Sequence, residues 1–164
     1  MQIGDMVMKG ADVLRIVERK SEAIAGRPSQ EYWILEKAYP TGRSGFVVHV
    51  PVDQEDELLR PVPSRSEWDQ IVSAVRNSEQ IKWNKDRMKR IEEFRAIVNS
   101  GSLVDAMRLE RTFRAHKREQ AKPALSTRDK DFEARACEFV TSAAACSFDV
   151  TPDEASRMLD ELIG

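Results

Sequence analysis

The chain has 164 residues, 41% of them hydrophobic and 33% charged, with 26 Lys and Arg against 28 Asp and Glu. That is enough apolar material for the core of one or two small domains, and the near-neutral balance excludes a uniformly basic polyanion binder. No run approaches the roughly 18 apolar residues that span a bilayer, and the amino end carries Asp5 in a polar and apolar alternation where a signal segment would be basic and then apolar. No membrane partner is expected, and the cytoplasm is the default compartment.

The charge is unevenly spread. Residues 1–63 carry 8 basic and 10 acidic side chains, residues 64–122 carry 14 and 9, and residues 123–164 carry 4 and 9. A basic middle between two acidic ends lets one face meet a polyanion while the rest is repelled.

Along the first sixty residues, short β-rich runs alternate with turn residues. Strands are expected at Asp5 to Met8, Val13 to Val17, Glu31 to Glu36, Phe46 to Val50 and Leu58 to Leu59. The intervening Lys9-Gly10-Ala11-Asp12, Gly26-Arg27-Pro28-Ser29, Pro40 to Gly45 and Pro51 to Asp56 supply residues that tolerate positive φ or fix it near −65°. Five short strands in so few residues predict a small SH3-like or Tudor-like β-barrel over residues 1–61.

From Pro61-Val62-Pro63 the period becomes helical. Ser64 with Glu67, Ser102 with Asp105, Ser126 with Asp129 and Thr151 with Glu154 each set a hydroxyl three residues before an acid, and Asn84 is a further cap candidate. Helices are predicted at about 65–77, 85–99, 102–119, 127–147 and 152–162, with apolar stripes such as Trp68, Ile71, Val72 and Val75, and Met88, Ile91, Phe94 and Val98. The fold class is therefore α+β, a small barrel followed by a five-helix bundle over residues 62–164.

Catalytic signals do not emerge. The two histidines, His49 and His116, fit no metal-ligand spacing, and they read as a polar strand residue and a solvated helix residue. Cys137 and Cys146 are nine residues apart without a CxxC spacing and read as small buried hydrophobes. Gly42 and Gly45 lack the Lys-Ser or Lys-Thr of a phosphate loop, and no GxSxG occurs. No catalytic residue, cofactor or metal is expected, and the chain is read as a non-enzyme.

The segment Ile81-Lys82-Trp83-Asn84-Lys85-Asp86-Arg87-Met88-Lys89-Arg90 stands out, with five cations and one acid in ten positions around a tryptophan. Lys85 with Lys89 and Arg87 with Arg90 lie at helical spacing, forming two cationic rows while Met88 and Ile91 face the bundle. Cations at a helix start oppose its dipole unless an anion sits there. Trp83 either staples the chain onto the core or serves as an apolar wedge at a base step while Lys82, Lys85, Arg87, Lys89 and Arg90 hold phosphates. A second basic row, Arg108, Arg111, Arg114, Lys117 and Arg118, reads as solvated.

In order and spacing the chain resembles the CarD family of bacterial transcription regulators, whose amino-terminal domain also occurs in the transcription-repair coupling factor. The resemblance rests on Gly4-Asp5-Met6-Val7, Tyr32-Trp33-Ile34-Leu35, Val47-Val48-His49-Val50-Pro51, Trp83, Leu125-Ser126 and Leu159-Asp160-Glu161-Leu162. It implies a Tudor-like domain that docks on the RNA polymerase β subunit and a helical domain that touches promoter DNA at the upstream edge of the melted region. It further implies that Trp83 wedges into the minor groove, that Lys85 and neighbours hold the backbone, and that Arg19 and His49 face the polymerase. The sequence departs from the family at Met8-Lys9-Gly10-Ala11, at His49 where many members carry arginine, and at Asp86 and Met88 where members carry cations. The expected product is a monomeric regulator that stabilises the open promoter complex. The alternative is a protein-interaction module that binds a partner through the barrel and makes no DNA contact.

Overall fold

A computed structural model describes residues 1–23, 25–42, 45–122 and 124–163. The chain divides into two compact units, Met1–Val62 and Pro63–Gly164, one residue from the boundary expected at Pro61.

The first unit is one antiparallel sheet built from β1 (Met6–Lys9), β2 (Asp12–Glu22), β3 (Gln30–Lys37), β4 (Val47–Pro51) and β5 (Arg60–Pro61). The spatial order is β4-β3-β2-β1-β5. No ladder joins the edges β4 and β5 among the described residues, so the hydrogen-bonded structure is an open sheet where sequence reading expects a barrel. Its core gathers on one face: Val7, Leu14, Ile16, Trp33, Leu35, Val50 and Leu59, with Val48 and Val52 packed against them. The tight turn from β1 to β2 places Gly10 at φ 56°, a left-handed conformation that a Cβ would strain.

Two departures from the expected strands have physical causes. β2 runs to Glu22, five residues past the expected Val17, because a register shift between Ile16 and Glu18 carries the ladder on through polar residues that lack an apolar alternation. Leu58 ends a short helix, α1 (Glu55–Leu58), and the strand falls at Arg60–Pro61. The run Glu55, Asp56 and Glu57 favours a helix start electrostatically, and the Leu59 N–H donates to the Glu55 carbonyl at 2.9 Å to close the turn.

The second unit holds five helices: α2 (Arg65–Asn77), α3 (Arg87–Asn99), α4 (Leu103–Glu119), α5 (Thr127–Phe148) and α6 (Pro152–Ile163). Reciprocal capping boxes form at Ser64 with Glu67 and Ser126 with Asp129, and Thr151 with Glu154 exchanges the same pair of bonds. Such pairs satisfy two orphan N–H groups at once, which is why these starts are legible in the sequence. The α3 start differs, since Asp86 and not Asn84 is the cap, its carboxylate accepting from the Met88 and Lys89 N–H groups at 3.0 and 3.2 Å. Asn84 supports that cap by accepting the Asp86 N–H at 3.0 Å.

The bundle core includes Trp68, Phe94, Met107, Leu109, Phe113 and Val140, all at most 1% exposed. The cysteines are not part of it: Cys137 is exposed and Cys146 half-buried. The α5 face turned to the core is carried by Phe132, Ala136, Phe139, Val140 and Ala143, and Cys137 stands one position off it. The Cys137 thiol instead meets Glu110 of α4 and lies 3.9 Å from the Thr141 hydroxyl. Among the described residues, no helix is long and apolar enough to cross a membrane.

Burial pushes the Glu110 carboxyl up to about 7, against the opposing influence of Arg114 and the Cys137 hydrogen bond. An unfolded glutamate releases its proton near pH 4.3, so between roughly pH 4.3 and 7 the folded chain holds a proton that the unfolded chain has lost. Stability is therefore expected to fall as pH rises through that window. Urea unfolding midpoints of Glu110→Gln should show a flatter dependence there than the parent chain.

Candidate nucleic-acid interface

The segment between α2 and α3, residues 78–86, has no regular ladder of its own, so its backbone needs partners from elsewhere. Side chains of the neighbouring helices supply them. From α4, Arg108 donates to the Glu79 carbonyl at 3.0 Å and Thr112 to the Ile81 carbonyl at 3.2 Å. From α3, Arg90 donates to the Asn84 backbone carbonyl at 2.9 Å, while Glu93 accepts from the Asn84 side-chain Nδ2 at 3.0 Å. An irregular stretch is thus held in one shape by four side chains.

Arg90 is the centre of this arrangement. It is 6% exposed, and its Nε and Nη2 donate to the two carboxylate oxygens of Asp129, each at 2.9 Å. Asp129 is itself fully buried and also accepts from the Ser126 N–H and hydroxyl at 2.9 and 2.8 Å. The pairing of Arg90 with the outward cationic row is therefore corrected: its guanidinium is spent inside the protein and unavailable to a phosphate. Burial alone would raise the Asp129 carboxyl, but the Arg90 and Ser126 hydrogen bonds outweigh it and hold the group below its ordinary value.

Inward rotation of Arg90 changes the face that α3 presents. Its buried stripe is Arg90, Ile91, Phe94 and Val98, and Met88, expected to face the bundle, is 69% exposed. Lys82, Lys85, Arg87 and Lys89 are exposed, and none has a carboxylate within ion-pair distance among the described residues.

Trp83 is half-buried. Its ring stacks on His116 with centroids 3.7 Å apart and planes 6° from parallel, meets Phe94 and Phe113 edge-on at 5.6 Å each, and lies 4.7 Å from the Arg90 guanidinium carbon. The indole is neither sealed in the core nor projected freely. His116, expected to be a solvated helix residue, is half-buried by the same stack. A lone histidine three residues from a helix end carries no sequence mark of a ring partner thirty-three positions away.

A cleft of about 750 Å³ opens beside this stack. Lys82, Trp83, Lys85, Arg87 and His116 line it together with Lys122, a cation outside the segment highlighted by sequence. Its acid among the described lining residues is Glu119. The α3 amino terminus adds little to anion binding, because the Asp86 carboxylate already occupies two of its N–H groups.

In the second basic row, read as solvated, Arg114, Lys117 and Arg118 are exposed, whereas Arg108 and Arg111 are half-buried. Arg108 pairs with Asp105 at 3.3 Å, Arg111 donates to the Val75 carbonyl at 2.7 Å, Arg114 pairs with Asp160 and Lys117 with Glu133.

In the first unit, Arg19 is exposed on β2 and pairs with Glu31 at 2.5 Å, with its guanidinium carbon 5.3 Å from the Trp33 ring centroid. Its hydrogen bond and charge interaction with Glu31 raise the guanidinium further above its ordinary value. The Trp33 indole N–H donates to Glu55 at 2.6 Å. His49 is exposed on the edge strand β4, its Nδ1 3.4 Å from a Glu22 carboxylate oxygen. Among the described residues, no three His, Cys, Asp or Glu side chains converge to hold a metal ion.

Scanning the chain against protein-family models gives no match, and searching among curated proteins gives none either.

The buried pair is directly testable. Asp129→Asn leaves Arg90 buried without its counter-charge and is expected to cost about 3–5 kcal/mol in urea unfolding at neutral pH. The sign with pH follows from the lowered carboxyl: its stabilisation is complete above the unfolded value near 3.9 and is lost as pH falls through the folded one. The parent should therefore lose stability below about pH 4 more steeply than Asp129→Asn.

Proposed function

We propose that the chain is a non-enzymatic transcription regulator of the CarD type, which docks on the RNA polymerase β subunit through residues 1–61 and stabilises opened promoter DNA through the segment around Trp83. The observation that carries this reading is the gathering of Lys82, Lys85 and Arg87, exposed and without carboxylate partners among the described residues, in one cleft with a half-buried indole, with Lys89 exposed on the same first turn of α3. Unpaired surface cations have no internal interaction to give up when they meet a phosphate. A tryptophan already fixed by His116, Phe94 and Phe113 loses little side-chain freedom when it abuts a base step. Arg90 has a supporting place in this reading, holding Trp83 and Asn84 from within.

The five-stranded unit is read as the Tudor-like docking module. Its edge strand β4, which carries His49, offers unpaired backbone groups for strand addition, and Arg19 stands on the same sheet. Because phosphate contacts are few, DNA affinity in isolation is low and salt-dependent, and most of the effect comes from the raised local concentration once polymerase is bound.

Trp83→Ala should shorten the lifetime of open promoter complexes by about tenfold, the equivalent of ~1.4 kcal/mol from one apolar contact, while leaving co-purification with polymerase intact. An unchanged lifetime with an intact fold removes the wedge. Lys85→Glu with Arg87→Glu should lower the slope of log affinity against log salt by about two, one for each phosphate contact. Arg19→Glu sets a carboxylate beside Glu31 and should reduce recovery of the β subunit; undiminished recovery argues against the docking surface.

A further inference from the structure

The cleft next to Trp83 is concave, whereas a wedge that props a base step needs only a protruding edge. Its volume of about 750 Å³ exceeds what a single side chain displaces, and its rim carries Lys82, Lys85, Arg87 and Lys122. Lys122 is exposed and, like the other three, has no ion pair among the described residues. Cations ringing a cleft with an aromatic surface inside are the two ingredients of single-strand recognition, a track for the backbone and a platform for a base.

The platform is His116. One face of its imidazole lies against Trp83, 3.7 Å away and 6° from parallel, and the ring is partly exposed and lines the cleft. The Trp83 ring is crowded by His116, Phe94, Phe113 and the Arg90 guanidinium, so it offers less open surface to a further ring. A base entering the cleft against the other face of His116 would form the next tier of the same stack.

We infer that the cleft binds one unpaired nucleotide of single-stranded DNA, with the base stacked on the far face of His116 and the flanking phosphates held by Lys82, Lys85, Arg87 and Lys122. The inference rests on the DNA-binding reading above and names the form of DNA that the site prefers. In it, Trp83 abuts the last paired step while the neighbouring unpaired base enters the cleft. His116 fixes the indole and receives the base, which gives two roles to a residue with no catalytic part.

The test uses the full chain and fluorescein-labelled probes at low salt, followed by fluorescence anisotropy: a thymidine oligomer of about eight nucleotides, a blunt duplex, and a fork with a single-stranded arm of about the same length. The fork and the oligomer should bind more tightly than the duplex. His116→Ala should weaken binding to the oligomer by about tenfold, the scale of one lost base stack. His116→Phe, which keeps a flat ring but no imidazole nitrogen, should restore most of it. Lys122→Glu, distant from the buried core, should weaken the oligomer in the same direction and keeps the test independent of the ring substitution. Equal binding of the oligomer by parent, His116→Ala and Lys122→Glu overturns the inference. Binding confined to the duplex also overturns it, while leaving the DNA-binding reading intact. Binding to none of the three probes, in the presence or absence of polymerase, overturns both.

Discussion

The candidate interface depends on a single buried ion pair. Arg90 and Asp129 join α3 to α5 by two parallel hydrogen bonds, and both groups are buried, Asp129 completely. Removing two charges from water is costly, and the pair is sustainable because nearly every donor and acceptor around it is used: Asp129 also caps α5 through Ser126, and Arg90 also reaches the Asn84 carbonyl. The remaining edge of the guanidinium lies against the Trp83 ring. One arginine thereby sets the spacing of two helices, the path of the segment before α3 and the position of the indole. This is a case where a buried pair serves geometry more than net stability, since a well-packed apolar substitute could hold the helices but could not bind a carbonyl and an indole at once.

Sequence and structure agree best where the signal is local. The helix starts at residues 65, 103, 127 and 152 are within a residue of those read from hydroxyl and acid pairs, because a capping box is completed by residues three apart and depends on nothing distant. Apolar periodicity located the same helices because each has one face in the core. The α3 start went astray by one cap because Asn84 and Asp86 are both competent, and their choice was settled by Asn84 being drawn toward Glu93 and Arg90. Sequence periodicity ends β2 at Val17 because the outer half of the strand, Glu18 to Glu22, carries no apolar alternation, and pairing with β3 continues it.

The site was legible in composition and illegible in geometry. The cationic run around Trp83 is visible in ten consecutive residues, whereas the burial of Arg90 is decided by Asp129, thirty-nine positions on. Asp129 reads locally as the acid of a capping box, and it is one; nothing in the local pattern says that both of its oxygens also accept from an arginine. His116 and Lys122 were missed for the same reason, since each acquires its surroundings from the 78–86 segment across the bundle. Asking which side chains satisfy the backbone of an irregular stretch between helices points to Arg108, Thr112 and Arg90, because such a stretch must be stapled by something, but it points to neither His116 nor Lys122.

The basic excess of the middle third is not a uniform field: Arg90, Arg108, Arg111, Arg114 and Lys117 are committed to carbonyls or carboxylates, several of them on acidic residues of the last third. Of the exposed cations without an ion pair among the described residues, Lys82, Lys85, Arg87 and Lys122 border one cleft, while Lys89, Arg95 and Arg118 lie outside it. Asp86 then limits that concentration, because a carboxylate already sits on the α3 amino terminus and repels a phosphate placed directly on the helix axis. Under the DNA-binding proposal, an incoming backbone would be steered off that axis, toward the side where Lys82, Lys85 and Arg87 border the cleft. An acid in the middle of a basic patch is thus a directional device, trading total attraction for a preferred path of approach.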